Sequence, residues 1–164
     1  MTEWLTIDQQ QSWRAYLAAT TLLAEKLSRE LQAAHGITMA DYEILVRLSE
    51  APDRRLRMSQ LALHTLASRS RLSHQVDRLE KSGLVERQAC EDDRRGANAV
   101  LTEAGWNLLV VAAPTHVDGV RRHLVDRLTE DQFAQLGAAL GVVAGHLQGL
   151  EPDCEQNPAV ALTR

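Results

Sequence analysis

Over residues 68–78 the chain sets Arg69, Arg71 and Arg78 among Ser68, Ser70, Ser73, His74 and Gln75. A guanidinium offers parallel N–H donors that match the acceptors on the major-groove edge of guanine, and each good two-point contact discriminates bases by roughly 1–3 kcal/mol. Hydroxyl, imidazole and amide groups at this spacing reach base edges or phosphate oxygens. Arg78 stands lower on the same stretch, where a phosphate or an acid is a more natural partner than a base. A second pair of guanidiniums, Arg94 and Arg95, follows the acids Glu91, Asp92 and Asp93. Either these charges balance one another in solvent, or an arginine enters a narrow A·T-rich minor groove, where negative potential is concentrated.

Three other groups of residues carry chemistry. Trp13, Arg14 and Tyr16, with Tyr42, gather aromatic surface in a chain that is only 4% aromatic. They read either as ordinary core and subunit-contact residues or as the lining of a small-molecule cavity in which Arg14 meets a ligand carboxylate. Cys90 reads mainly as a small inert residue and alternatively as a thiol whose oxidation distorts its surroundings; Cys154 is incidental. His116 and His123 stand seven residues apart, yet no HxxxH pair or carboxylate cluster completes a metal site. There is no P-loop, no GxGxxG, no nucleophile elbow and no paired-carboxylate arrangement, so no catalytic residues, no cofactor and no enzymatic activity are expected.

Helices and a hairpin must position these groups. A first helix is expected over residues 8–34, with Leu17, Thr20, Leu23, Leu27 and Leu31 as its apolar stripe, ended by Gly36. Thr38 caps a second, with Asp41 three residues on as a capping-box variant; it carries Tyr42, Leu45 and Leu48 and stops before Pro52. A polar turn leads to Ser59, read as the cap of a third helix. After the turn HTLA, Ser68 caps a fourth, which runs to about Ser82 and closes at Gly83. Leu72, Val76 and Leu79 share one face of it, leaving the polar residues mainly free to meet another molecule. LVERQA and ANAVL read as antiparallel strands, with CEDDRRG as the hairpin tip. Thr102 caps a fifth helix reaching about Arg127, with a kink or break expected near Ala113 because Pro114 cannot donate its backbone hydrogen bond. Thr129 caps a sixth, with Phe133, Leu136, Leu140, Val143 and Leu147 as its stripe. The segment 151–164 reads as a flexible tail.

The order of elements predicts a mainly α fold with a small β-wing, a winged helix-turn-helix of about six helices in a single domain over 1–164. Residues 38–101 form its DNA-binding lobe. The bulk numbers agree with one domain: 164 residues, 45% hydrophobic and 24% charged. Net charge is −4, but residues 54–95 hold ten Lys/Arg against six Asp/Glu, a local excess of four positive charges on an otherwise acidic chain. That distribution suits a protein that meets a polyanion with one face. No apolar run approaches the roughly 20 residues a membrane span needs. The opening residues lack a signal-peptide layout, and a cytoplasmic setting without membrane contact is expected.

The run SRSRLSHQVDRLEKSGLVERQACEDDRRGANAVLTEAG resembles the MarR-type transcriptional regulators in three places: VDRLEKSGLVER, the DDRRG tip and the VLTEAG entry to the next helix. The element order agrees over roughly residues 8–148. The resemblance implies a homodimer joined through N- and C-terminal helices, here 8–35 and 103–148. It implies a pseudo-palindromic double-stranded DNA operator, repression, and release by a small, often aromatic, effector or by cysteine oxidation. It implies that Ser68, Arg69, Ser70, Arg71, Ser73, His74, Gln75 and Arg78 face DNA, and that Asp93 braces one of Arg94 and Arg95 while the other enters the groove. Two alternatives stand beside it: a winged helix that binds an effector or a protein partner without reading an operator, and a redox-sensing regulator built on Cys90.

Overall fold

The computed structural model describes residues 1–65, 68–90 and 93–149, without the side chains of Cys90, Asp93, Arg94 and Arg95. Residues 1–123 form one compact unit and a second begins at Leu124. The first unit holds α1 (Ile7–His35), α2 (Met39–Glu50), a 3-10 turn (Pro52–Arg54), β1 (Arg55–Arg57), α3 (Met58–His64), α4 (Arg69–Lys81), β2 (Val85–Cys90), β3 (Asp93–Leu101) and α5 (Glu103–His123). The second holds a 3-10 turn (Val125–Arg127) and α6 (Glu130–Leu147). The mainly helical winged helix-turn-helix architecture is therefore as the order of elements predicts.

Local chemistry sets most of the boundaries. Thr38 accepts from the Asp41 backbone N–H at 3.2 Å while the Asp41 carboxylate accepts from Thr38 N–H at 3.0 Å, a closed capping box. Ser68 Oγ accepts from Arg71 N–H at 3.3 Å, starting α4. Such caps contribute about 0.5–2 kcal/mol each. Gly36 closes α1 in the left-handed region at φ 73°. α1 begins one residue earlier than expected because Thr6 and Gln9 form a further capping box. The helix after Thr129 is boxed by Gln132.

Several expectations are corrected. Ser59 does not cap α3: the helix begins at Met58, and Arg57 is the capping residue, its backbone N–H reaching Gln60 Oε1 at 3.4 Å. The segment before it is not only a turn. Arg55–Arg57 pairs with β3 in the register Arg55↔Val100, Leu56↔Ala99 and Arg57↔Asn98, making a three-stranded antiparallel sheet in the order β1-β3-β2. The hairpin strands also run further than expected. β3 starts at Asp93, so the DRRG segment is strand backbone, and the register slips between Ala89 and Cys90. Glu91, Asp92, Leu66, Ala67 and the tail from Leu150 lie outside the described residues. α5 continues through Pro114. The carbonyl deprived of its partner there is that of Val110, an exposed residue whose oxygen water can serve. The helix instead ends at His123, short of Arg127.

The core of the first unit lies where α2, α3, α4, α5 and the sheet meet, with Leu31, Ile44, Leu45, Leu48, Leu61 and Val76 almost wholly buried. Each such side chain contributes about 1.5–3 kcal/mol by leaving water. Leu72, Val76 and Leu79 face this core as their spacing predicts. The α1 stripe is buried only at its C-terminal end, at Leu27 and Leu31; Leu17 stays exposed. α6 buries none of its residues, and Phe133, Leu140, Val143 and Leu147 remain exposed.

Two close approaches lock the helices. At Gly119 of α5 an added methyl would sit 2.8 Å from a Leu27 methyl and 2.9 Å from a Glu30 carboxylate oxygen of α1. His123 bonds Glu30 at 2.8 Å and His35 bonds Thr115 at 2.8 Å along the same seam, and the His123 bond holds the Glu30 carboxyl below the usual range. At Gly105 of α5 an added methyl would meet the Leu84 carbonyl oxygen at 2.1 Å. That carbonyl accepts from Thr102 N–H, and Thr102 Oγ donates to Gly83 O at 2.7 Å, so the start of α5 is sewn to the turn after α4. Gly105→Ala is expected to destabilise the fold by about 1–3 kcal/mol, because the obstacle is backbone that cannot yield. A lower urea midpoint at unchanged slope checks it.

Candidate nucleic-acid interface

α4 is the second helix of the α3–α4 pair. Its inner face is fixed by Leu72, Val76 and Leu79, and this turns Arg69, Ser70, Arg71, His74 and Arg78 outward, all exposed, as is the capping Ser68. Ser73 is half-buried. Gln75 is 9% exposed and faces inward, contrary to the expectation that it is free to meet another molecule. Its position one residue before Val76 and four before Leu79 brings it within the buried arc, which is broader than three aliphatic side chains suggest.

A groove of about 460 Å³ runs between the start of α3, the start of α4 and the sheet, edged by Ser59, Arg69, Ser73, Arg87 and Gly96. Arg87 is the residue that sequence reasoning missed. From β2 it donates to the carboxylates of Asp77 and Glu80, the latter at 3.3 Å, and to the Ser73 carbonyl at 3.0 Å, while its backbone N–H reaches Glu80 at 3.2 Å. It fastens the wing to α4. Its hydrogen bond holds the Asp77 carboxyl below the ordinary range. No local spacing announces such a contact, since the strand reaches back across a turn.

Arg78 is also engaged. Its guanidinium donates to Asp41 Oδ1 at 2.6 Å, and Asp41 is buried. The acid foreseen as one of its possible partners is thus supplied by α2. Before β1, Asp53 and Arg54 both adopt φ 53°, and Arg54 is held over the Trp106 ring at 4.2 Å and against Glu103 at 3.2 Å. The side chains of Asp93, Arg94 and Arg95 lie outside the described residues, as do Cys90's side chain and Cys154.

The aromatic grouping separates within the chain. Trp13 and Tyr16 stack at 5.7 Å on the exposed N-terminal half of α1, with Arg14 beside them in sequence and also exposed. Tyr42 is buried against His116 of α5, ring centroids 4.7 Å apart. His116 adjoins Thr115, which bonds His35 at the other end of α1. At 1.5 Å per residue Trp13 lies about 33 Å from His35 along that helix. The four residues therefore do not line one cavity of a single subunit. His116 and His123 likewise have separate partners, Tyr42 and Glu30. Among the described residues no group of three or more His, Cys, Asp or Glu is placed to hold a metal ion. No described helix is long and apolar enough to cross a membrane.

Burial pushes the His116 imidazole below the ordinary histidine range, and its Nδ1 has no hydrogen-bond partner. The unfolded chain then takes up the proton first. The stability that goes with a neutral ring is complete above about pH 6.5 and is lost as the pH falls from there toward the depressed folded value. His116→Phe, which keeps a ring against Tyr42, is expected to show a smaller loss of urea midpoint between about pH 7 and 5 than the parent chain.

A capped two-helix unit that exposes guanidiniums, joined to a three-stranded wing and flanked by long helices, defines a winged helix-turn-helix DNA-binding protein. A family model described as MarR family matches residues 35–96. The structure is similar to that of AbsC, a MarR family transcriptional regulator from Streptomyces coelicolor, with TM-score 0.84 and 49% identity, covering 90% of this chain and 99% of that one. It is similar to Sco3205, a MarR family regulator from the same organism solved in complex with DNA, with TM-score 0.85 and 46% identity over 95% and 96% of the two chains. A curated relative, the regulator PecS of Dickeya dadantii, is 29% identical over 133 residues, covering 80% of this chain and 79% of that protein. The chain belongs to the MarR family and is a DNA-binding transcriptional regulator.

Proposed function

We propose that the chain works as a cytoplasmic homodimeric repressor on a pseudo-palindromic operator. Each subunit lays α4 in a major groove, the two copies about 34–36 Å apart, one turn of DNA. Arg69 and Arg71 read bases, with Ser68, Ser70, Ser73 and His74 at bases or phosphates. In this reading one of Arg94 and Arg95 enters the minor groove and Asp93 braces the other. The observation that carries this reading is the exposed Arg69–Arg71 pair on a helix whose opposite face is locked in the core. Residues 38–101 are the DNA-binding lobe, and 8–35 with 103–148 supply the dimer contacts. The bare apolar surface of α1's first half and of α6 supports that division. Release follows when a small aromatic effector favours a dimer with the wrong helix spacing. Trp13, Arg14 and Tyr16 belong to its site only if a partner subunit completes it.

The test is an anisotropy titration on operator fragments selected from genomic DNA. Affinity is expected to fall steeply and linearly, in log–log form, as salt rises. Arg94→Ala and Arg95→Ala are expected to weaken binding without altering the thermal melt. The reading is lost if no fragment is bound at any salt, or if both variants bind like the parent.

A further inference from the structure

We propose that Asp41 and Arg78 are positioning residues for operator binding: a buried carboxylate that sets the pose of α4, and an arginine that serves as its anchor rather than as a DNA contact. The inference rests on the reading that α4 enters the major groove. The two carboxylate oxygens of Asp41 have separate tasks. Oδ2 accepts from Thr38 N–H at 3.0 Å and from Thr38 Oγ at 2.7 Å, closing the N-terminus of α2. Oδ1 accepts from Arg78 Nη2 at 2.6 Å. One side chain thereby fixes where α2 begins and where α4 is held.

The linkage extends to α1. Met39 N–H, in the first turn of α2, donates to Ser28 Oγ at 3.2 Å. A continuous polar path runs from Ser28 through the α2 cap to Asp41 and Arg78. It ends three residues before the C-terminus of α4, one turn beyond His74 and two beyond Arg71. Open space lies on both sides of the pair. A groove of about 960 Å³ is edged by Ser28, Thr38, Arg71, His74 and Arg78, and another of about 300 Å³ by Gln32, Thr38, Asp41, Arg78 and Ser82. The ion pair of Asp41 and Arg78 lies between these two grooves and bridges α2 to α4 there. Arg78 is 58% exposed on its outer side while Asp41 is buried, so the guanidinium reaches inward to the acid.

A phosphate contact and an anchor predict different salt behaviour. Losing one phosphate contact lowers the slope of log affinity against log salt by about one. Losing an anchor leaves the slope unchanged and weakens binding through misplacement of Arg69 and Arg71. Anisotropy titrations of the full chain on its selected operator, over a salt series, therefore decide between them for Arg78→Met, Asp41→Asn and the double variant. Each single variant is expected to lose about tenfold in affinity at unchanged slope, and the double variant no more than the worse single, as for groups acting as one unit. Additive losses, a slope reduced by about one in Arg78→Met, or parent-like affinity in that variant would each overturn the proposal. Should Asp41→Asn fail to fold, Arg78→Met decides alone, since its slope and affinity together separate the outcomes. Arg71→Ala run in parallel tests the underlying reading: if it binds like the parent, the groove assignment fails, whatever Arg78 does.

Discussion

Replacing Arg71 or Arg69 with alanine is expected to weaken operator binding by roughly 1–3 kcal/mol each, about five- to a hundredfold or more, and to relax the sequence preference at one base step per half-site. The expectation follows from the geometry of α4. Leu72, the residue after Arg71, is buried at 1% exposure, while both arginines are exposed. Truncation therefore removes nothing from the core, and the thermal melt should not move. The hydroxyl of Ser68 already serves Arg71 N–H, so the helix start survives as well. Both residues lie in the first turn, where the positive end of the helix dipole adds to their attraction for DNA. Competition titrations against operators altered one base pair at a time check the point. A loss that is equal for every sequence and lowers the salt slope would make these residues phosphate contacts; no loss would remove α4 from the groove.

A charge placed on the bare face of α6, as in Leu140→Glu or Val143→Glu, is expected to give a folded monomer that binds operator about 10²–10⁴-fold more weakly. A dimer engages its second half-site as an intramolecular event, and that gain is what a monomer forfeits. α6 has no buried residue, so its apolar face contributes little to the folding of one chain. Val142, Val143 and Leu147 are 71%, 52% and 77% exposed. A patch of this kind marks an association surface. Leu17→Glu, on the exposed half of α1, should act in the same direction. Sedimentation equilibrium reads the mass directly. A variant that stays dimeric with full affinity would place the subunit contact elsewhere.

What was legible in the sequence was local. The caps at Thr38, Ser68 and Thr129 and the left-handed close at Gly36 depend on residues within one turn, and they stand where the spacing places them. The Leu72–Val76–Leu79 stripe oriented α4 correctly because it shares the helix period. Apart from Gln75 and Pro114, which are misread within their own helices, the misreadings are of longer reach. β1 is three residues whose strand character comes from β3, more than forty positions away. Ser59 has the chemistry of a cap, yet the end of β1 already fixes where α3 begins. Arg87 shows no local sign of its partners, and Asp41, whose bond to Thr38 is local, shows none of its bond to Arg78, since these contacts cross elements. Trp13 and Tyr42 are alike in chemistry, but a 29-residue helix holds them far apart. The exposed polar face of α4 was therefore readable from the period of its apolar stripe, except at Gln75, while the bracing behind it needed the fold.

The tight crossing at Gly119 limits how such a regulator can be switched. Leu27 and Glu30 press closely on Gly119, and bonds at Glu30 and His35 tie α1 to α5 on either side of that crossing. In the proposed dimer, a ligand that respaces the two α4 helices would meet least resistance by hinging the DNA-binding lobe against this paired α1–α5 support, since sliding one helix along the other would break both bonds.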